Sequence, residues 1–197
     1  MTKPKMTFVD VDTQFDFMHP EGNLYVPGAN GLKDNLKSLI AYAKKRGIAV
    51  VASVDAHDSD DPEFKQFPPH CVKGTAGQTK IDETSIDDAF TITNISQEMD
   101  LGNRRAVVLE KEIFSLFGNP NADKVLKHFD AEEFVVFGVA TDYCVKAAAL
   151  GLRERGYTVL LVTDAIKAVT LEGEKTALAE MKSAGVKFIS TQEMIER

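Results

Sequence analysis

The sequence predicts an α/β fold, a doubly wound and mainly parallel sheet with helices on both faces. Three observations predict it. Short, mostly apolar runs recur along the chain, as strands buried on both faces require. Segments of helical period separate them, and several of these close on glycine, the rhythm of βαβ units. Reactive side chains also stand just beyond the runs, where an open parallel sheet binds its ligands.

The first run is residues 6–11, and Asp12 follows it. Asn30 or Gly31 then opens a helix with Leu32, Leu36, Leu39, Ile40 and Ala43 on one face, closing near Arg46 and Gly47 with cations before a glycine. Residues 48–54 form the next strand, ending in Asp55-Ala56-His57. From Asp55 to about Ser96 the chain is rich in Asp, Pro, Gly and Thr, with a strand expected only at 90–93. An irregular segment of that length is usually functional. A strand at 106–109 precedes Lys111, and a shorter helix starts near Asn121 after Pro120. The acidic residues near 130–133 read as a solvated turn. A strand at 134–138 leads to Cys144 in the first turn of a helix over 142–155, closed by Gly156. Strands at 158–162 and 186–189 flank a helix over 171–184 that ends at Gly185, and the chain turns helical again from Thr191.

At 197 residues, 44% hydrophobic and 27% charged, the chain reads as one domain, 1–197, with a sizeable core. A net charge of −7 and the absence of a cationic stripe argue against nucleic acid and toward a small-molecule substrate. No run of about 18 apolar residues marks a membrane span. The start, Met1-Thr2-Lys3-Pro4-Lys5, leads into a run too short for a signal-peptide core, so the expected compartment is the cytoplasm. There Cys71 and Cys144 are expected as separate free thiols.

Cys144 at a strand-to-helix junction is placed for nucleophilic attack. Amide hydrogens and the helix dipole would lower its pKa and hold the oxygen of a tetrahedral intermediate; a buried structural thiol is the plainer alternative. Asp12 would take the thiol proton and return it to a leaving group, or cap its loop. Lys111 would stabilise thiolate and carboxylate, or form an exposed ion pair with Glu110 or Glu112. Together the three make the nucleophile, base and electrostatic support of acyl transfer. Asp55 and His57 point the same way along an extended chain, and His70 folds back toward them. That donor set suits a divalent ion, with Zn, Mn or Fe the candidates, in an open catalytic arrangement. Glu63 is the candidate fourth ligand, although the acidic loop holding Asp58, Asp60 and Asp61 also reads as simply hydrated. Cys71 would point away and is taken as structural.

With these motifs in view, the chain resembles the isochorismatase-like cysteine hydrolases, a Rossmann-like family, and within them the nicotinamidases. The segments that carry the likeness are Val11-Asp12-Thr13-Gln14-Phe15-Asp16-Phe17, Asp55-Ala56-His57, Phe67-Pro68-Pro69-His70-Cys71-Val72, Lys111, and Gly138-Val139-Ala140-Thr141-Asp142-Tyr143-Cys144-Val145. The resemblance implies a catalytic triad of Asp12, Lys111 and Cys144, metal ligands Asp55, His57 and His70, an oxyanion hole from the amides of Ala140 and Cys144, and a cis Val139–Ala140 peptide. It also implies hydrolysis of nicotinamide through a cysteine thioester, with the metal orienting the ring. Many nicotinamidases carry a further His in the metal loop; this chain has none between His57 and His70, and Glu63 takes its place in the expectation. Phe17 and Phe67, the latter where tryptophan is common, would wall a flat substrate, with Phe114 and Phe117 as further lining candidates; all are equally readable as core aromatics. The alternatives are the same triad acting on another amide, a carbamoyl or ureido compound or a lactam, and a non-catalytic protein using Cys144 for redox sensing or ligand binding. A closed homo-oligomer is also expected.

Overall fold

Strand-forming runs and amphipathic segments assemble into a seven-stranded sheet in the order β3-β4-β2-β1-β5-β6-β7, in a computed structural model that describes residues 5–197. The strands are β1 (Met6–Val11), β2 (Ala49–Asp55), β3 (Phe90–Ile92), β4 (Ala106–Lys111), β5 (Glu133–Val139), β6 (Thr158–Lys167) and β7 (Lys187–Ile189), and every neighbouring pair is parallel. The helices are α1 (Phe15–Met18), α2 (Lys33–Arg46), α3 (Ala122–Phe129), α4 (Lys146–Glu154), α5 (Leu171–Ser183) and α6 (Thr191–Ile195). The leader reading of the first four residues lies outside the described residues.

Alternation along each strand divides the core in two. Phe8, Val50 and Val135 face one side, where Leu36 and Leu39 of α2 and Met194 of α6 cover them. Val9, Val51 and Val136 face the other, under α3, α4 and α5 through Val125, Leu126, Ala148, Leu152 and Met181. The chain leaves β1 toward β2 on one side and returns through β5 on the other, so the strand order reverses beside β1, the position where such sheets open a ligand crevice.

Several boundaries differ from the expectation. β4 runs on through Lys111, which pairs in register with Asp55; the lysine therefore ends the strand and does not lie beyond it. β6 extends from the expected 158–162 to Lys167 across a register shift opposite Val136 and Gly138, and its exposed Thr163 and Asp164 break the apolar run by which a strand is recognised. The helix expected over 142–155 begins with a wide π-helical turn at Thr141–Val145, closed by Val145 N–H donating to Ala140 O at 3.1 Å, and only then becomes α4. Such turns often mark functional positions. Within the expected solvated turn, Glu133 is buried, opens β5 and pairs with Arg197 Nη1 at 2.7 Å.

The irregular segment after β2 is tied down by polar side chains from β1 and its following turn. The Asp16 carboxylate accepts from Cys71 N–H at 2.7 Å and Asn23 N–H at 3.0 Å. Lys80 Nζ reaches buried Asp10 at 2.7 Å. At Gly138 (φ +118°) a Cβ would sit 2.0 Å from Val11 O. Only glycine lets β5 press this closely on the end of β1, which brings the Cys144 turn toward Asp12. The Val139–Ala140 peptide is cis.

Candidate active site

Asp12 leaves β1 with φ +49°, a left-handed conformation uncommon outside glycine and frequent where geometry is set by function. Its backbone N–H donates to Ser53 O at 3.1 Å, and its Oδ1 accepts from Ser53 Oγ at 2.6 Å. Its Oδ2 lies 2.8 Å from Lys111 Nζ. Lys111 is fully buried, not the exposed ion pair of the alternative reading; it also donates to Asp55 Oδ1, and its Nζ lies 3.7 Å from Cys144 Sγ. One ammonium thus touches a carboxylate of β1, a carboxylate of β2 and the thiol of the β5–α4 turn.

Burial raises the Asp12 carboxyl above its ordinary range, with Lys111 opposing. Burial acts on Asp55 in the same direction, but Lys111 and His57 outweigh it and hold that carboxylate low. Two anions keep Lys111 charged despite its burial, well above the usual lysine value. The Cys144 thiol is pushed well up, by burial first and then by the Asp12 and Asp55 carboxylates against the pull of Lys111. This corrects the expectation of a lowered value: desolvation and two nearby carboxylates exceed the dipole and amide contribution. Burial and the two carboxylates favour the neutral thiol over the thiolate, with Lys111 opposing.

Asp55 also faces the second cluster. Its Oδ2 lies 3.8 Å from His57 Nε2 and 3.9 Å from His70 Nε2, and one ligand atom from each of the three residues falls within 4.8 Å of the others. His57 Nδ1 donates to Asp61 at 2.9 Å and His70 Nδ1 to Pro68 O at 2.8 Å, which turns both Nε2 atoms inward. His57 Nε2 is buried without a hydrogen-bond partner among the described residues. That orphaned imidazole nitrogen, beside a second imidazole and a carboxylate, fits a divalent ion. Glu63 groups with His57 and Asp61, apart from the set of Asp55, His57 and His70, and lines the adjoining pocket.

The pocket between the clusters is walled by Phe17, Leu24, Tyr25, Val26, Phe67, Phe114, Tyr143 and Val169, with Asp55, His70, Ala140 and Cys144 on its polar side. Phe17 and Phe67 line it, with ring centroids 5.4 and 6.4 Å from that of His70. Phe117 does not line it; its ring lies under Arg155, 3.5 Å from the guanidinium carbon. Both cysteines are free; Cys71 is buried and burial raises its thiol pKa.

Sequence reasoning missed several participants. In sequence Asp61 belongs to an acidic, hydrated-looking loop, although its i,i+4 spacing from His57 is a usable signal. Gln14, which accepts from Asp55 N–H at 2.7 Å and donates to Asp55 O at 2.8 Å, was noted without a role. Ser53 and the wall residues Leu24, Tyr25, Val26, Tyr143 and Val169 carried no signal of their own.

A family model for the isochorismatase domain matches residues 6–193. The chain belongs to the isochorismatase family. Among its family relatives, a nicotinamidase of Escherichia coli is 28% identical, with 92% of this chain and 93% of that protein aligned. A nicotinamidase/pyrazinamidase of Mycobacterium tuberculosis is 29% identical over 91% of this chain and 95% of its own length. The crystal structure of a Pyrococcus horikoshii pyrazinamidase in complex with zinc superposes with a TM-score of 0.81 at 30% identity, covering 95% of this chain and 99% of that one. This family member is an enzyme, a hydrolase acting on an amide C–N bond. No helix is long and apolar enough to cross a membrane among the described residues.

Proposed function

We propose that the protein is a nicotinamidase-type amidohydrolase that converts nicotinamide to nicotinate and ammonia through a thioester on Cys144. The observation that carries this reading is the meeting of Cys144, Lys111 and Asp12 beside an aromatic pocket that also opens on Asp55 and His70. Family relatives named as nicotinamidases support it.

Cys144 Sγ attacks the carboxamide carbon while its proton passes to Asp12 Oδ2. The carbonyl oxygen, now anionic, is held by the amides of Ala140 and Cys144. As the C–N bond breaks, Asp12 gives the proton to the departing nitrogen, ammonia leaves and the thioester remains. A water then loses a proton to Asp12 and attacks; the C–S bond breaks, and Asp12 reprotonates Sγ. Lys111 keeps its charge throughout and stabilises whichever of carboxylate and thiolate is anionic. The raised Asp12 value suits a group that alternates as base and acid. Asp55, His57 and His70, with Glu63 as a further candidate, would hold a divalent ion, zinc first with manganese or iron as alternatives. When bound, the ion supplies a Lewis-acid point for the pyridine nitrogen and orients the ring. Phe17 and Phe67 wall the ring.

The same reading takes residues 1–197 as one domain working in the cytoplasm on a small-molecule amide, as a homo-oligomer, without nucleic acid. The net charge of −7 supports the last point. The burial of Cys144 weighs against the redox-sensing alternative, which needs an accessible thiol. Ammonia release by zinc-loaded protein from nicotinamide, pyrazinamide, a carbamoyl amino acid, a ureido acid and a lactam tests the substrate. Preference for the two ring carboxamides is expected; release only from the others would reassign the pocket.

A further inference from the structure

We propose that Ser53 is a positioning residue for the proton-transferring carboxylate, fixing which oxygen of Asp12 does the chemistry. This deepens the amidohydrolase reading and rests on it. Ser53 lies in β2, 1% exposed. Its hydroxyl donates to Asp12 Oδ1 at 2.6 Å, and its carbonyl accepts from Asp12 N–H at 3.1 Å. The two contacts hold Asp12 from both sides of its Cα.

The consequence follows from donor counting. Oδ1 already receives a proton donor, and Ser53 Oγ is buried beside it, so a second proton is poorly accommodated there. Among the described residues Oδ2 makes no hydrogen bond to a protein hydroxyl or amide; its neighbour is Lys111 Nζ at 2.8 Å, and Lys111 also reaches Cys144. The proton from Cys144 Sγ therefore lands on Oδ2 and leaves from Oδ2. Without the Ser53 hydroxyl the carboxylate loses the donor that fixes its rotation about Cβ–Cγ, and it can settle at an angle that turns neither oxygen squarely toward Cys144 Sγ. Ser53 touches no substrate atom in this scheme. Its effect belongs to the proton-transfer steps and not to ring binding, because the pocket walls and the imidazoles are elsewhere.

The test uses zinc-loaded Ser53→Ala and Ser53→Thr beside wild type, with melting temperature and bound zinc measured for each. A hydrogen bond to a charged group corresponds to roughly 10- to 100-fold in rate. Ser53→Ala is expected to lower kcat for ammonia release from nicotinamide by that factor, with KM within about twofold. Ser53→Thr, which keeps the hydroxyl, is expected to recover most of it. Crystal structures of wild type and Ser53→Ala should show the Asp12 carboxylate rotated in the variant on an unchanged backbone. A Ser53→Ala enzyme with wild-type kcat, a loss confined to KM, or an unmoved carboxylate overturns the proposal. If Ser53→Thr does not fold, the alanine kinetics and the two crystal structures decide. Wild-type protein that releases no ammonia from any amide overturns the functional reading instead, and the carboxylate comparison then still tests what Ser53 holds in place.

Discussion

The triad and the ligand cluster share Asp55 but are held in place by different means. Asp12 follows β1, Lys111 ends β4 and Cys144 sits one turn after β5, so parallel register places all three. Lys111 and Asp55 are paired residues of adjacent strands. His57 lies two residues beyond β2 in an isolated bridge to Val72 and His70 lies in the loop, and their rings are aimed by single hydrogen bonds to Asp61 and to Pro68 O. Chemistry mounted on strand ends inherits the rigidity of the sheet, whereas chemistry mounted on a loop depends on each orienting contact.

The largest effect expected is on the triad alone. Cys144→Ala should lower kcat by at least about 10⁴-fold, with bound zinc unchanged by metal analysis; loss of zinc in this variant would show that the clusters are not separable. Next comes Lys111→Met, which leaves the Asp12 and Asp55 carboxylates buried without their shared cation. Breaking a buried pair in this way costs about 3–5 kcal/mol, read as a fall in the urea midpoint. A midpoint near wild type would mean that the carboxylates find other compensation.

Asp61→Asn tests the looser half. Losing an orienting partner typically weakens metal binding by about 10- to 100-fold, measurable by zinc titration, with kcat at saturating zinc near wild type. Unchanged zinc affinity would put His57 under the control of the fold and not of Asp61.

The smallest effect is on pH dependence. In metal-stripped protein burial works against the His57 imidazolium, but the neighbouring Asp55 and Asp61 carboxylates push its pKa up to about 9 from 6.5. A raised folded value contributes stability that is complete below the unfolded pKa and is lost as pH rises through the folded one. The melting temperature of stripped wild type should therefore fall relative to stripped His57→Gln between about pH 6.5 and 9, and parallel curves would contradict the assignment.

The same contrast governs what could be read from the chain. The strands show as apolar runs because both faces are covered, and Asp12, Asp55, Lys111 and Cys144 show because they sit at strand ends. Helix α1 spans Phe15–Met18, too short to display a period. The exposed Thr163 and Asp164 hid the second half of β6. Ser53, Tyr143 and Val169 join the site through tertiary approach, which local pattern does not encode. Helix-end electrostatics at Cys144 can be seen in sequence, while its burial and the two carboxylates from other strands, which act in the opposite direction, cannot.

The central claim is that Cys144 performs the hydrolysis while the His57 cluster holds metal and orients substrate. It is tested most directly by measuring ammonia release from nicotinamide together with bound zinc for wild type, Cys144→Ala and His57→Ala. The account predicts rapid release by wild type, none by Cys144→Ala with zinc retained, and loss of zinc with weakened substrate binding in His57→Ala. Turnover that survives in Cys144→Ala, or zinc that stays fully bound in His57→Ala, would contradict it.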